Sequence, residues 1–210
     1  MKLKVQVPKE IYFKEYDNLE RFISYYHQID FARKLFPKTI LEIGVGNKTV
    51  SNYLRNQGFK ITTFDLDKEL SPDYVGDLRK LPFKENSFDL VMCCEVLEYL
   101  PFSEFGKAIS EIKRVTKKNA IISIPNSSKV ISFHLKFPGM FFLFHKPLLS
   151  FLISIPFPTK HKFDGQHYWE IGKKGYSLKK VKKNIRKYFK IIINKRIKLN
   201  TYHHFFILEK

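Results

Sequence analysis

Residues 39–46 read Thr-Ile-Leu-Glu-Ile-Gly-Val-Gly. A short apolar run of strand length leads directly into Gly44 and Gly46, and residues 49–57 that follow have the pattern of a helix. A glycine turn between a strand and a helix lets the backbone approach a ligand closely and directs helix N-terminal amides at it. The stretch therefore predicts the first strand–turn–helix unit of an α/β fold, with a ligand site at the turn.

The same alternation continues along the chain. Further strands are predicted over 60–67, 87–93, 119–126, 190–199 and 203–210, and helices over 10–36, 103–117 and 175–189. This rhythm indicates a mostly parallel sheet with helices on both faces. Ligands of such sheets lie beyond the carboxyl ends of the strands, which places the predicted site at that edge.

One segment, residues 130–158, interrupts the pattern. It is apolar and aromatic, yet it contains no uninterrupted apolar run long enough for a transmembrane helix. It is expected to be either an element that dips into one membrane leaflet or a buried lid of helices over the site. We expect a single domain, divided into N-terminal helices (1–36), a cofactor-binding half (37–128), an apolar insertion (129–172) and a C-terminal helix with strands (173–210).

The charge is concentrated in the C-terminal part of the chain. The net charge is +18, and residues 129–210 contain 18 Lys and Arg residues but three Asp and Glu residues. Such a distribution favours an anionic membrane surface or nucleic acid as a partner, although a solvated lysine-rich surface also explains it. Lysines outnumber arginines 31 to 7, which makes nucleic acid the weaker alternative.

Cysteine and histidine usage excludes two other classes of site. The two cysteines are adjacent, at 93 and 94, so neither a disulfide framework nor a four-cysteine zinc site is expected. No carboxylate pattern joins the seven histidines, so no metal site is predicted. The N-terminus has no apolar stretch of signal-peptide type, and the expected location is cytoplasmic, with association to a membrane as an option.

Two acids flank the glycine turn. Glu42 precedes it, and Asp65 follows Gly44 by twenty-one residues at the end of the next predicted strand. An acid at that position can accept hydrogen bonds from both hydroxyls of a ribose. An acid just before the turn suits a ligand with a cationic amine or sulfonium, and S-adenosylmethionine has both groups as well as a ribose.

Three linked motifs resemble a known family. Residues 41–47 (LEIGVGN), 64–67 (FDLD) and 76–101 (GDLRKLPFKENSFDLVMCCEVLEYLP) are similar to the corresponding motifs of class I S-adenosylmethionine-dependent methyltransferases of the type 11 group. The resemblance implies a Rossmann-like, mostly parallel seven-stranded sheet with an antiparallel C-terminal strand. The apolar insertion would follow the fifth strand, and S-adenosylmethionine would be the cofactor.

The resemblance also assigns roles to residues. It implies that Gly44 and Gly46 pass under the methionine moiety and ribose, that Glu42 faces the amino group, and that Asp65 binds the ribose hydroxyls. The adenine would be contacted by the backbone of Leu66, by the Asp77 carboxylate and by the Leu78 amide. The methyl-donating end would be bordered by Cys94 and Glu95. Many relatives have a glycine where Lys48 stands and a histidine where Tyr99 stands, so the lysine side chain must turn outward and one candidate base is absent.

His167 and Glu170 are the candidate proton acceptors. They lie in an aromatic and polar stretch, which is either a structural corner or a wall that faces the acceptor. The predicted function is methyl transfer from S-adenosylmethionine to an unidentified small-molecule acceptor, lipophilic or lipid-linked. The alternatives are a non-catalytic scaffold that binds the cofactor, or an RNA methyltransferase using lysines 179, 180, 182, 183 and 187.

Overall fold

The computed structural model describes residues 4–14, 16–145, 148–155, 157–163 and 165–210. The helices are α1 (Lys9–Lys14), α2 (Leu19–Lys34), α3 (Thr49–Asn56), α4 (Phe105–Val115), α5 (Met140–Phe144) and α6 (Leu178–Ile185). The strands are β1 (Thr39–Ile43), β2 (Lys60–Asp65), β3 (Tyr74–Val75), β4 (Phe88–Cys94), β5 (Thr116–Pro125), β6 (Val130–Leu135), β7 (Leu149–Ser154), β8 (Lys190–Arg196) and β9 (His203–Glu209).

Seven strands form one sheet in the order β3-β2-β1-β4-β5-β9-β8. The first five pair in parallel, whereas β9 runs antiparallel to both of its neighbours. This architecture confirms the predicted α/β fold with an antiparallel C-terminal strand. The order reverses between β1 and β4, and in such sheets ligands bind outside the carboxyl ends of the strands at this point.

Both faces of the sheet are buried. Along β1, Ile40 belongs to one apolar cluster and Leu41 to the other, because successive side chains of a strand point to opposite faces. Residues of α4 and α6 cover the face of Leu41, and residues of α2 and α3 cover the face of Ile40. The near-continuous apolar sequences of β4 and β5 follow from this burial on two sides.

The N-terminal region forms the two helices α1 and α2. The Asn18 side chain accepts a hydrogen bond from the Arg21 N–H (2.9 Å) and starts α2 there. Of the aromatic residues of α2, Tyr25 is buried whereas Phe22 and Tyr26 are exposed. The inward face of α2 also contains polar side chains, which are paired with each other: Gln28 donates a hydrogen bond to the Ser24 hydroxyl.

The insertion is a hairpin of β6 and β7 with the short α5 at its tip. Most apolar side chains of its described residues are exposed, and none of them lines the cavity described below. The expectation of a buried lid of helices is therefore wrong, because these residues pair with each other as strands and leave both faces of the pair open. Within the described ranges, no helix is both long enough and apolar enough to cross a membrane.

Candidate active site

The glycine turn after β1 forms one wall of a cavity at the carboxyl edge of the sheet. Gly44 has φ +83° and Gly46 has φ +49°, and both line the cavity. A Cβ atom on Gly44 would lie 2.3 Å from Val96 Cγ2, a distance that real Cβ contacts do not reach. Only glycine allows the chain both this left-handed conformation and this close approach.

Asp65, at the end of β2, lines the cavity and fixes the turn through its carboxylate. One carboxylate oxygen accepts the Val45 N–H (2.8 Å) and the other accepts the Asp67 N–H (2.9 Å). Burial raises the pKa of Asp65, although these backbone hydrogen bonds lower it in part. A carboxylate has about four acceptor sites, so both oxygens keep capacity for the hydroxyls of a ribose.

Glu42 lies beneath the turn and lines the cavity. Its side chain is buried, and Oε2 has no hydrogen-bond partner among the described residues. Burial raises the pKa of this carboxyl from its ordinary 4.5 to about 7. A buried oxygen without a donor is costly, so the site fits a ligand that brings a donor or a cation to this position.

Lys48 stands where the resemblance expects a glycine. It adopts φ +63°, which costs about 1–2 kcal/mol for a residue with a side chain. Its Nζ donates to the Ser71 carbonyl (2.7 Å), and Lys48 is absent from the residues that line the cavity. The side chain thus turns outward, as the sequence requires, and leaves the turn open.

The end of β4 and the residues after it form a further part of the cavity lining, where Val96 lies close to Gly44. Glu95 has φ +55°; its Oε1 accepts the Ser123 hydroxyl (2.7 Å), and its Oε2 lies 3.5 Å from His203 Nε2. Burial raises the pKa of Glu95 to about 7. The neighbouring Cys94 also lines the cavity, and burial raises the pKa of its thiol so that it stays neutral. A neutral thiol is a weak nucleophile.

The three positions predicted to contact adenine are not equivalent. Leu66 and Leu78 line the cavity. Asp77 does not, because its carboxylate accepts hydrogen bonds from Arg79 Nε (3.0 Å) and Nη2 (2.7 Å). Burial acts to raise the pKa of Asp77, but the hydrogen bonds from Arg79 outweigh it and lower the pKa. The adenine contact of Asp77 stays a prediction that this ion pair opposes.

His167 and Glu170 lie outside the cavity wall. Glu170 accepts hydrogen bonds from His167 Nδ1 (3.0 Å), from the Tyr202 hydroxyl (2.6 Å) and from the Ser127 hydroxyl. Burial acts to raise its pKa, yet these donors lower it to about 2. The ring of Tyr99, which does line the cavity, packs edge-on against His167 with centroids 5.0 Å apart. The two predicted proton acceptors are thus behind Tyr99, and a carboxylate this well satisfied is a weak base.

The N-terminal residues supply a cavity wall that the sequence did not indicate. The Arg21 guanidinium lies 3.9 Å above the Tyr16 ring, and Tyr12 and Tyr25 line the cavity beside them. Periodicity identified this region only as helices. The available signal was the density of tyrosines, which combine an apolar ring with a polar end and therefore suit the mouth of a ligand site.

Among the residues that the structure describes, no group of three or more His, Cys, Asp or Glu side chains is arranged to hold a metal ion. The cavity therefore presents carboxylates, backbone amides and tyrosines as its functional groups. These groups fit an organic ligand with a cationic end and a sugar.

Comparison with known proteins relates this geometry to a family. A family model described as a methyltransferase domain matches residues 41–124. The chain is 40% identical over 75 residues to an uncharacterized protein of Methanocaldococcus jannaschii (35% of this chain, 31% of the other). It is 33% identical over 97 residues to malonyl-[acyl-carrier protein] O-methyltransferase of Buchnera aphidicola (41% and 38%). The chain thus matches about a third of the length of these curated relatives.

Solved structures extend the likeness to the whole fold. The PH0226 protein of Pyrococcus horikoshii OT3 is 14% identical, with 95% of each chain covered and a TM-score of 0.61. The 1,6-didemethyltoxoflavin-N1-methyltransferase of Burkholderia thailandensis was solved with S-adenosylhomocysteine bound; it is 13% identical, with 100% of this chain and 93% of that chain covered and a TM-score of 0.59. The chain is thus similar to a methyltransferase domain over residues 41–124, and its whole fold is similar to that of a methyltransferase solved with S-adenosylhomocysteine bound.

Proposed function

We propose that this protein transfers a methyl group from S-adenosylmethionine to a small-molecule acceptor that is lipophilic or lipid-linked, at the surface of a membrane. The observation that carries the proposal is the pairing of Glu42 and Asp65 on the two sides of one glycine turn in one cavity. The unpartnered oxygen of Glu42 matches a cationic amine, and Asp65 matches two sugar hydroxyls.

Each group of the cavity has a task in this proposal. When bound, the cofactor supplies a methyl group on a positively charged sulfur. The backbone of the turn at Gly44 supports the methionine end, and Leu66 and Leu78 enclose the adenine. Methyl transfer needs no covalent intermediate, so the protein contributes alignment and an acceptor for a proton.

We place that proton acceptor at Glu95. Three features support it over His167 and Glu170: Glu95 lines the cavity, it borders the end of β4, and its pKa is raised to about 7. A base with a pKa near the working pH is the most effective. Glu170, with its pKa lowered to about 2 by three donors, is suited to hold Tyr202 and His167 in place.

The acceptor is expected to be a small molecule with an apolar part. The tyrosines at 12, 16, 25 and 99 offer rings for such a group at the cavity wall. The names of the relatives point the same way, since one is an O-methyltransferase of malonyl-[acyl-carrier protein] and another methylates a didemethyltoxoflavin. A lipid-linked acceptor would also agree with the exposed apolar hairpin.

Two measurements test the proposal. Calorimetry should show saturable binding of S-adenosylhomocysteine at one site, and incubation with methyl-labelled cofactor and fractionated cell extract should place label in the lipid or small-molecule fraction. Binding without transfer of label would identify a scaffold, and label in RNA would replace the acceptor class. Absence of any heat of binding with S-adenosylhomocysteine or with S-adenosylmethionine would overturn the proposal.

Cofactor affinity should depend on pH through Glu42. The pKa of this carboxyl is about 7 in the folded chain, and a cationic ligand beside it favours the ionised form. Affinity for S-adenosylhomocysteine is therefore expected to rise about tenfold between roughly pH 6 and pH 8, with a proton released on binding. Since the folded pKa lies above the ordinary 4.5, the protonated form of Glu42 stabilises the free protein at low pH, and this stabilisation is lost as the pH rises from about 4.5 to about 7.

Calorimetry in buffers of different ionisation enthalpy would measure this proton release. In a Glu42→Gln variant, the affinity at high pH should fall and the dependence on pH should become flat. An unchanged dependence in that variant would assign it to Glu95 instead, because the pKa of Glu95 is raised to the same range.

A further inference from the structure

The hairpin of β6 and β7 has one apolar face and one polar face. Three directly opposed pairs occupy the first face: Ile131 with Ile153, Phe133 with Phe151, and Leu135 with Leu149. The opposite face holds mainly hydroxyl and imidazole side chains, namely Ser132, His134, Ser150 and Ser154, together with Val130 and Leu152. Each strand has six residues and is about 20 Å long, so the apolar face is an extended surface.

The tip of the hairpin continues this apolar surface. In α5, Phe142 is 85% exposed and Leu143 is 69% exposed, and Phe141 and Phe144 are exposed beside them. Met140 alone among the five residues of this helix is buried. Exposed apolar surface of this size and continuity marks a site of interaction.

The charges around the hairpin have one sign. Residues 129–163 contain five lysines and no Asp or Glu. Lys129 lies at the base of β6 and Lys136 at its end toward the tip, and both are exposed. Lysines beside an apolar element can keep their ammonium groups among lipid head groups while their methylenes cover apolar surface.

The hairpin is attached to the edge of the sheet where the cavity lies. It follows β5, whose carboxyl end is at the same edge as those of β1 and β4 because these strands are parallel. The base is held by the Ile155 N–H, which donates to the Lys129 carbonyl (2.9 Å), and by Arg196 Nη2, which donates to the Ser128 carbonyl (2.7 Å). The hairpin thus has a fixed origin on the scaffold.

From these observations we infer that the hairpin is a membrane-docking element, which inserts its apolar face and its tip into the interfacial region of an anionic bilayer. The inference deepens the proposed function by naming the surface and the kind of lipid, and it rests on that function only for the link to the acceptor. Anionic head groups complement the lysines, and the acyl region accepts the aromatic tip. A bilayer fits better than a protein groove because no acidic residue, which would orient a protein partner, occurs in residues 129–163.

Flotation of the full-length protein with lipid vesicles tests the inference. The protein should float with vesicles of equimolar phosphatidylcholine and phosphatidylglycerol, and at least about tenfold more weakly with phosphatidylcholine alone. Replacing both Phe142 and Leu143 by Ser should reduce the partition coefficient about 100-fold, since two large apolar side chains no longer enter the lipid. The matched control is Phe36→Ser, at an aromatic residue that is 84% exposed elsewhere on the surface; its partition should stay within about twofold.

The outcomes separate this inference from the methyltransferase proposal. A wild-type protein that stays in the soluble fraction with the anionic vesicles would overturn it, as would equal flotation of the double variant. A hairpin-dependent dimer seen by light scattering, without flotation, would assign the apolar face to a second copy and also overturn it. Calorimetry with S-adenosylhomocysteine on the same samples reports the cofactor site separately, because no described residue of the hairpin lines the cavity.

Discussion

A Gly44→Ala protein is expected to lose cofactor binding and much of its stability. The new methyl group would lie 2.3 Å from Val96 Cγ2, so the turn or the end of β4 must move by about 1 Å to restore an ordinary contact. The left-handed conformation adds about 1–2 kcal/mol of strain, and the overpacking adds about 1–3 kcal/mol. Because Val96 follows Glu95 directly, the displacement would reach both walls of the site.

The measured result should be at least a tenfold loss of S-adenosylhomocysteine affinity, about the value of one or two backbone hydrogen bonds at a displaced turn. Gly58→Ala is the matched control, because Gly58 has φ +86° and no heavy atom within 4 Å of the added Cβ. It should incur the strain but keep the affinity within about twofold. In the Gly44→Ala/Val96→Ala double variant the clash is absent, and affinity should recover in part; no recovery would mean that the contact with Val96 is not the cause.

The parts of this molecule that were predictable from sequence are those where neighbouring residues carry the information. The apolar strand 39–43, the two glycines and the acid at 65 lie close in sequence, and each follows from strand periodicity, backbone conformation or position at a strand end. Local pattern was therefore enough to identify the sheet and the cofactor edge.

What sequence could not supply depends on contacts between distant segments. Tyr25 reaches the cavity from α2, which packs against α3, and no periodicity specifies this packing. Asp77 is a different case, because its ion pair with Arg79 is local, two residues along the chain, whereas the motif assigned the carboxylate to adenine. The insertion has the composition of a buried element, and only its strand pairing reveals an exposed hairpin.

The second large effect is expected at Trp169. Its ring is fully buried, packs edge-on against Phe102 (4.8 Å) and Phe105 (5.3 Å), and its Nε1 donates to the Leu100 carbonyl (3.0 Å). Trp169→Ala should lower the free energy of unfolding by about 3–5 kcal/mol, because the lost transfer energy is added to that of a large cavity. For a chain of this length, this corresponds to a decrease in melting temperature of roughly 6–20 °C.

Trp169→Phe separates packing from the hydrogen bond. It keeps most of the ring and leaves the Leu100 carbonyl without the indole donor, so the free energy of unfolding is expected to fall by about 1–3 kcal/mol.

Trp169 also lies between His167 and Glu170 in sequence, and His167 supports the cavity residue Tyr99 by ring contact. If this segment is a structural corner, cofactor affinity and stability should fall together in the Ala variant, whereas the Phe variant should show only the smaller loss of stability and keep an affinity close to wild type. If instead the Ala variant melts at the wild-type temperature, the segment does not hold the site, and the alternative that its aromatic residues face the methyl acceptor is favoured.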